Sequence, residues 1–166
     1  MTTEKTQKQN IGNAGEYYIA ARLSAENFIA TITLGRAEQY DILALSPRGR
    51  SIKLSVKARL QQEASSFTFG DKAEKYYDKD FFYAFIRLYE FKQEPEFWII
   101  PSQRVAEIVK TSHSKWLATP GRRNQQRNDT PMRKIPLIVR GQDTQYYPAN
   151  WEDELKKYYK NLKQLL

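Results

Sequence analysis

The sequence predicts one domain of the α/β or α+β class, built on a mixed β-sheet. The first observation is the order of the elements, in which a helix, three strands, a variable segment, two strands and a helix follow one another. The second is size, since 166 residues with 40% hydrophobic and 28% charged content suit a single core. No linker or internal repeat divides the sequence.

The first helix is predicted from the spacing of apolar residues. Residues 1–10 are polar and are expected to form a flexible tail, so the domain itself spans 11–166. Asn13 and Glu16 form a capping box that starts the helix. Apolar residues then recur at intervals of three and four, at Ala14, Tyr17, Tyr18, Ala21 and Leu23. The helix is expected to end near residue 26.

Five strands are predicted from β-branched and alternating residues. They span 28–34, 40–45, 51–57, 81–88 and 97–100. The Ser-Pro-Arg-Gly turn at 46–49 joins the second and third strands into a hairpin. The third strand alternates, with Ser55 and Lys57 on the face opposite to Leu54 and Val56.

The remaining segments are predicted from composition and periodicity. A short helix is expected near 71–77, and a second helix follows Pro101 as far as about residue 110. Residues 113–136 are rich in Gly, Pro, Asn, Gln and Arg and indicate a long basic loop. Residues 151–166 are expected to form an amphipathic C-terminal helix.

The charge indicates a polyanionic partner. Lys and Arg number 27 against 19 Asp and Glu, which gives a net charge of +8. This excess favours nucleic acid, or an anionic membrane surface, as partner. The predicted loop carries much of the excess and has Asp129 as its one carboxylate, so we interpret it as a phosphate-binding segment; the alternative is a solvated loop with no partner. The candidate nucleic-acid contacts are Arg122, Arg123, Arg127, Arg133 and Lys134.

The residue types that are missing narrow the chemistry. The sequence has no Cys and a single His, His113, which excludes disulfides, thiolate zinc sites and a multi-His cage. Any metal would be held by carboxylate and carbonyl oxygens, which suit Mg²⁺ or Mn²⁺. No apolar run approaches the roughly 20 residues of a membrane span. We therefore expect a cytoplasmic protein with no membrane partner.

Three polar residues form the candidate site. Glu16 lies on the first helix, Asp41 begins the second strand and Lys57 ends the third. The hairpin places Asp41 and Lys57 at the same end of the sheet, and the strand register decides whether they share a face. A carboxylate beside an ammonium at this position favours either a Mg²⁺ site that acts on phosphates or an ordinary strand-end salt bridge.

Three short motifs follow one another on these elements. They are Gly15-Glu16 with Ala20-Ala21-Arg22-Leu23, then Asp41-Ile42-Leu43-Ala44, then Val56-Lys57. In this order they resemble the PD-(D/E)XK nuclease superfamily, at its restriction-endonuclease-like and Holliday-junction-resolvase-like end. The resemblance covers residues 12–58, and the rest of the sequence is similar to small bacterial proteins of this nuclease-like type.

The resemblance implies a restriction-endonuclease-like α/β core, with a mixed central sheet of about five strands flanked by helices. It implies Mg²⁺- or Mn²⁺-dependent hydrolysis of nucleic acid, DNA rather than RNA, and a homodimer by fold analogy. Asp41 would be the main metal ligand, and Lys57 would position or activate the attacking water. Glu16 would assist through metal-bound water, and the Val56 carbonyl would complete the ligand set.

Position 55 departs from the family pattern. The family has an acidic residue or Gln two positions before the Lys, and this sequence has Ser55. A Ser ligand keeps an oxygen and loses the charge, so the implied metal site is weaker. Glu38 is a further carboxylate, interpreted as a solvated turn residue. The hypotheses are therefore a nuclease with a degenerate motif, an inactive nucleic-acid-binding module, or a protein-interaction factor.

Overall fold

A five-stranded mixed sheet lies at the centre of the structure, a computed structural model that describes residues 4–33, 40–60, 65–89 and 92–166. The strands are β1 Ile29–Ile32, β2 Ile42–Leu45, β3 Ser51–Leu60, β4 Ser66–Gly70, β5 Phe81–Leu88, β6 Glu96–Pro101 and β7 Met132–Pro136. The central sheet has the order β1-β2-β3-β5-β6. Only the β3–β5 pair is parallel among these neighbours. The mixed sheet of five strands is therefore confirmed, including the predicted β2–β3 hairpin.

β4 and β7 form a separate antiparallel pair that the sequence did not predict. β7 lies inside the segment 113–136, so the interpretation of that segment as one long loop is wrong. Its partner strand is more than sixty residues away in sequence, and the pair is stabilised by burial of Phe67 against Ile135. Such a long-range pairing leaves no local periodicity to detect.

The helices are α1 Glu4–Ala25, α2 Ser102–Ala118 and α3 Trp151–Tyr158. α1 begins at Glu4, so the chain from residue 4 to residue 10 is helical and not an irregular tail. Gln7, Lys8 and Gln9 favour a helix although they are exposed. Among the described residues, no helix is both long enough and apolar enough to cross a membrane.

The two later helices differ from their predicted bounds for identifiable reasons. α2 continues to Ala118 because the first obstacle is Pro120, which forces Thr119 into an extended conformation. α3 ends at Tyr158 and does not reach residue 166. The N–H of Lys160, a residue with φ of 49°, donates instead to the carbonyl of Phe97 at 2.9 Å.

Both faces of the central sheet are covered. α1 packs on one face, where Ile19 and Leu23 join the apolar residues of β2 and β3, among them Leu54 and Val56. α2, α3 and the β4–β7 pair cover the other face, around a core that includes Phe85 and Trp151. Alternate residues of β3 therefore belong to different layers, which places Ser55 and Lys57 on the side away from α1.

Gly15 sets the distance between α1 and the sheet. A Cβ atom at this position would lie 2.6 Å from the Cβ of Ala58 and 2.9 Å from the Cγ2 of Ile86. Both contacts are shorter than atoms tolerate, so only glycine permits this approach. The close approach brings the next residue, Glu16, to the end of β3 that carries Lys57.

Candidate active site

Backbone pairing places Asp41 and Lys57 on the same face of the sheet. The N–H of Asp41 donates to the carbonyl of Leu54 at 2.8 Å, next to the Ile42–Leu54 pair. Asp41 directly precedes β2, and its carboxylate accepts a hydrogen bond from Ser55, so it lies on the face that carries Ser55 and Lys57. The register that the sequence left open is thereby fixed.

The Asp41 carboxylate is held by two hydrogen bonds from β3. The N–H of Val56 donates to Oδ2 at 2.6 Å, and the hydroxyl of Ser55 donates to the same oxygen at 3.2 Å. Bonds from donors to an ionised carboxylate are stronger than neutral ones, so they fix its orientation. In an extended strand the N–H and C=O of one residue point to the same side, and the Val56 carbonyl therefore faces the edge where Asp41 lies.

Glu16 interacts with both groups from a different layer. Burial raises the pKa of Glu16, the Asp41 carboxylate raises it further, and the Lys57 ammonium lowers it. Leu54 is the last residue of β3 that pairs with β2, so residues 55–60 extend past the end of β2. This open edge allows a side chain of α1 to interact with groups on the opposite face. The three residues predicted from sequence are thus electrostatically coupled.

A cleft of about 470 Å³ opens beside these residues. β3 contributes Ser55 and Lys57, and β5 contributes Tyr83. The opposite wall comes from segment 69–76, which includes the end of β4 and the 3₁₀ turn Asp71–Glu74. The candidate site therefore has a neighbouring space that is large enough for a ligand.

Tyr83 lies next to Ser55 across the β3–β5 pair and was missed by the sequence analysis. Its ring stacks on Phe69 with centroids 5.7 Å apart. Burial, followed by the negative charge of Asp41, raises the pKa of Tyr83 to about 12. The phenol therefore stays protonated and can donate a hydrogen bond at neutral pH. Nothing in the local sequence separates Tyr83 from the other aromatic residues of β5.

The oxygen ligands at the site suit a hard divalent cation. They are the Asp41 carboxylate and the carbonyl of Val56, with the Glu16 carboxylate assisting through metal-bound water, and they match Mg²⁺ or Mn²⁺. A divalent cation held here would offset the negative charge of Asp41, which after burial is the second cause of the raised pKa of Glu16. The described ranges contain no group of three or more His, Cys, Asp or Glu residues placed to hold a metal, so the ligand set is poor in charge. Glu38 lies outside the described residues.

The predicted basic segment is largely engaged with the protein itself. Arg133 is only 6% exposed, and its guanidinium is bonded to Glu74 and to the carbonyl of Thr130. From this position Arg133 cannot reach a phosphate. The Lys134 ammonium lies 2.8 Å from the Asp143 carboxylate.

The arginines of the same segment lie in different environments. The Arg127 guanidinium lies over the ring of Trp116, 4.7 Å from its centroid. Arg123 is exposed, and the side chain of Arg122 lies outside the described part of the chain. Of the five candidate contacts, Arg123 is thus the one that the structure describes as exposed and without a contact to a charged or aromatic group.

His113 lies apart from this site, in a second cavity of about 210 Å³. Its Nε2 is 2.7 Å from a carboxylate oxygen of Asp129, and its ring stacks on Trp116. His113 lies on α2, although it belongs to the segment 113–136 that the sequence predicted as a loop. Its carboxylate partner was missed because it lies sixteen residues away in a segment with no regular pattern.

Comparison with known proteins gives weak structural similarity and no sequence match. No protein-family model and no curated protein matches the chain. The fold is similar to that of a bacterial homing endonuclease, I-Ssp6803I, with a TM-score of 0.45 and 15% sequence identity over 95% of each chain. The class that the structure defines is a mixed α/β domain with a five-stranded sheet. A similarity of this strength assigns no family to the chain.

Proposed function

We propose that this protein is a nuclease of the PD-(D/E)XK type, which hydrolyses phosphodiester bonds in nucleic acid, DNA rather than RNA, at Glu16, Asp41 and Lys57. The proposal is carried by one observation: the Asp41 carboxylate is hydrogen-bonded to Ser55, which lines an open cleft together with Lys57. A carboxylate and an ammonium beside a cleft are typical of functional sites. The substrate is consistent with the predicted cytoplasmic location.

Each residue has a distinct role in the proposed reaction. Asp41 and the Val56 carbonyl would hold Mg²⁺ or Mn²⁺, and Glu16 would assist through metal-bound water. When bound, the cation stabilises the negative charge that develops on the phosphate. Lys57 orients the attacking water and offsets charge on the same phosphate. Ser55 keeps Asp41 in place through its hydroxyl hydrogen bond.

The second candidate function is a catalytically inactive nucleic-acid-binding module. Ser55 favours it, because a neutral residue replaces one of the two main carboxylates of the resembled family. The cleft and the net charge of +8 would serve binding alone in that case. Under either function, we propose Arg122, Arg123 and Arg127 as peripheral contacts to the nucleic-acid backbone. The homodimer implied by the resemblance belongs to the same proposal.

Cleavage of plasmid and labelled oligonucleotides in Mg²⁺ or Mn²⁺ tests the proposal. We expect Asp41→Ala and Lys57→Ala each to lower the rate by roughly 100-fold or more, the scale of losing one charge-stabilising group. The matched controls are Asp153→Ala and Lys156→Ala, which remove the same groups from an exposed pair on α3. Cleavage that survives both site substitutions would contradict the proposal. Wild-type protein that binds nucleic acid without cleaving it would favour the inactive module.

A gain-of-charge variant extends the same experiment to the metal. Ser55→Glu restores the acidic position, so we expect tighter Mn²⁺ binding by isothermal titration calorimetry. Ser51→Glu is the matched control, because Ser51 is exposed on the same face at the other end of β3. Equal Mn²⁺ affinity in the two variants would mean that position 55 does not face a metal site.

A further inference from the structure

The cleft beside the candidate site carries an excess of positive charge. Lys57 comes from β3, whereas Lys72 and Lys75 come from the segment after β4. The lining of the cleft includes no Asp or Glu among the described residues. Glu74 lies on the same turn as Lys72, but its carboxylate is bonded to Arg133. The cleft therefore favours an anionic ligand.

Lys72 and Lys75 are not neutralised by neighbouring carboxylates. Neither forms an ion pair with any residue that the structure describes. Lys134, Lys156 and Lys160, by contrast, each lie within 2.8 Å of a carboxylate oxygen. Two unpaired ammonium groups that line one cleft can neutralise a phosphate without breaking an internal contact.

The floor and wall of the cleft add a donor and an apolar surface. The Tyr83 hydroxyl makes no hydrogen bond to a residue in the described ranges, and Tyr83 lines the cleft next to Ser55. Phe69 and Tyr76 supply aromatic surface from the opposite wall. The volume of about 470 Å³ falls within the range of about 300–1,000 Å³ that is usual for small-ligand sites. The chemistry matches a phosphate with an attached sugar and base.

We infer that this cleft is a nucleotide subsite, in which Lys72 and Lys75 bind the phosphate next to the one that lies at Asp41 and Lys57. The Tyr83 hydroxyl donates a hydrogen bond to that nucleotide, and Tyr76 packs against its sugar or base. The identity of the ligand as a nucleic-acid strand rests on the proposed function. The position of the subsite rests on the cleft itself.

Binding measured without catalysis tests the subsite. Fluorescence anisotropy of a labelled single-stranded oligonucleotide, and of its duplex, is recorded in EDTA over a series of salt concentrations. We expect the Lys72→Ala/Lys75→Ala variant to bind at least about tenfold more weakly, with a salt slope lower by about 1 for each lysine removed. Lys110→Ala/Lys157→Ala is the matched control, since both lysines are exposed on α2 and α3.

A second variant keeps the charge and removes only the donor. Tyr83→Phe retains the ring that stacks on Phe69, so the fold is expected to persist. We expect severalfold weaker binding in EDTA with an unchanged salt slope, because no ionic contact is lost. Wild-type affinity in Tyr83→Phe would overturn the role of the hydroxyl.

The outcomes separate the subsite from the proposed reaction. If the lysine variant binds with wild-type affinity and wild-type salt slope, the subsite is overturned. The subsite is also overturned if the Lys110→Ala/Lys157→Ala control loses as much affinity, because the loss would then report net charge alone. A loss of binding confined to the lysine variant supports the subsite even if the wild-type protein does not cleave, or if cleavage survives Asp41→Ala. Conversely, if cleavage depends on Asp41 but substitution of Lys72 and Lys75 does not change binding, the proposed reaction stands and the proposed subsite is wrong.

Discussion

Two basic regions of this protein differ in how their charge is used. The cleft beside Asp41 holds three lysines, and Lys72 and Lys75 among them have no ion pair within the described ranges. The segment from residue 110 to residue 140 has more basic residues, but Arg133 is bonded to Glu74 and Lys134 to Asp143. Formal charge therefore overstates what this segment offers a ligand, because carboxylates of the protein already neutralise two of its basic residues.

The comparison teaches that formal charge in sequence does not locate a binding surface. A buried guanidinium needs partners, because leaving it unpaired costs several kcal/mol. Arg133 lies on β7 between the two sheets and takes its partners from the protein. Lys72 and Lys75 lie on an exposed turn, where water solvates them until a ligand arrives.

The largest expected effect tests whether Arg133 is structural. Arg133→Ala leaves Glu74 as a partly buried, unpaired carboxylate, so we expect the free energy of unfolding to fall by about 3–5 kcal/mol. Urea denaturation followed by circular dichroism measures the change. The control Arg140→Ala removes an exposed arginine of the same segment and should stay within about 0.5 kcal/mol of wild type. If Arg133→Ala keeps wild-type stability but binds an oligonucleotide more weakly, Arg133 contacts the ligand and is not a structural residue.

The next effect concerns how the candidate site is positioned. Gly15→Ala introduces a Cβ that would lie 2.6 Å from the Cβ of Ala58, so α1 must move away from the sheet. We expect a loss of about 1–3 kcal/mol in the free energy of unfolding. Gly12→Ala is the matched control, since a Cβ there meets no atom within 4 Å and should stabilise the helix. Equal stability in both variants would mean that α1 does not depend on this contact.

Much of the central sheet could be predicted from local pattern. Alternation in β3 and the apolar runs of β2, β5 and β6 are signals that neighbouring residues carry by themselves. The β4–β7 pair could not be found in this way, because each strand is short and its partner is distant in sequence. The end of α3 was missed for a related reason: the hydrogen bond between Lys160 and Phe97 is a tertiary contact.

The candidate site was only partly accessible from sequence. Glu16, Asp41 and Lys57 were predicted from motif order, and in the structure the charges of Asp41 and Lys57 both act on the pKa of Glu16. Whether Asp41 and Lys57 share a face required the Ile42–Leu54 register, which no residue pattern sets. The roles of Tyr83, Lys72 and Lys75 depend on the cleft, whose walls come from three separate strands and a turn.

Carboxylates in the two regions also titrate in opposite directions. In the candidate site, burial and then Asp41 raise the pKa of Glu16 above 4.5. In the basic segment, the hydrogen bond from His113 lowers the pKa of Asp129. Asp129 therefore stabilises the fold above its unfolded pKa, and this stability is lost as the pH falls through its lowered value. Because the pKa of Glu16 is raised, Glu16 stabilises the fold at low pH, and this stability is lost as the pH rises.

The smallest expected effect follows from this difference. Because folding raises the pKa of Glu16, the folded state binds its proton more tightly than the unfolded chain, and the free energy of unfolding falls as the pH rises from 4.5 through the raised value. Glu16→Gln removes that fall, whereas Glu26→Gln, at an exposed position just after α1, keeps it. Urea denaturation at intervals from about pH 4 to about pH 7 covers the window. A bound divalent cation would favour the ionised Glu16, so Mn²⁺ should reduce the fall in wild type and leave Glu16→Gln unchanged. If wild type and Glu16→Gln respond alike to pH and to Mn²⁺, Glu16 is neither coupled to Asp41 nor close to a cation.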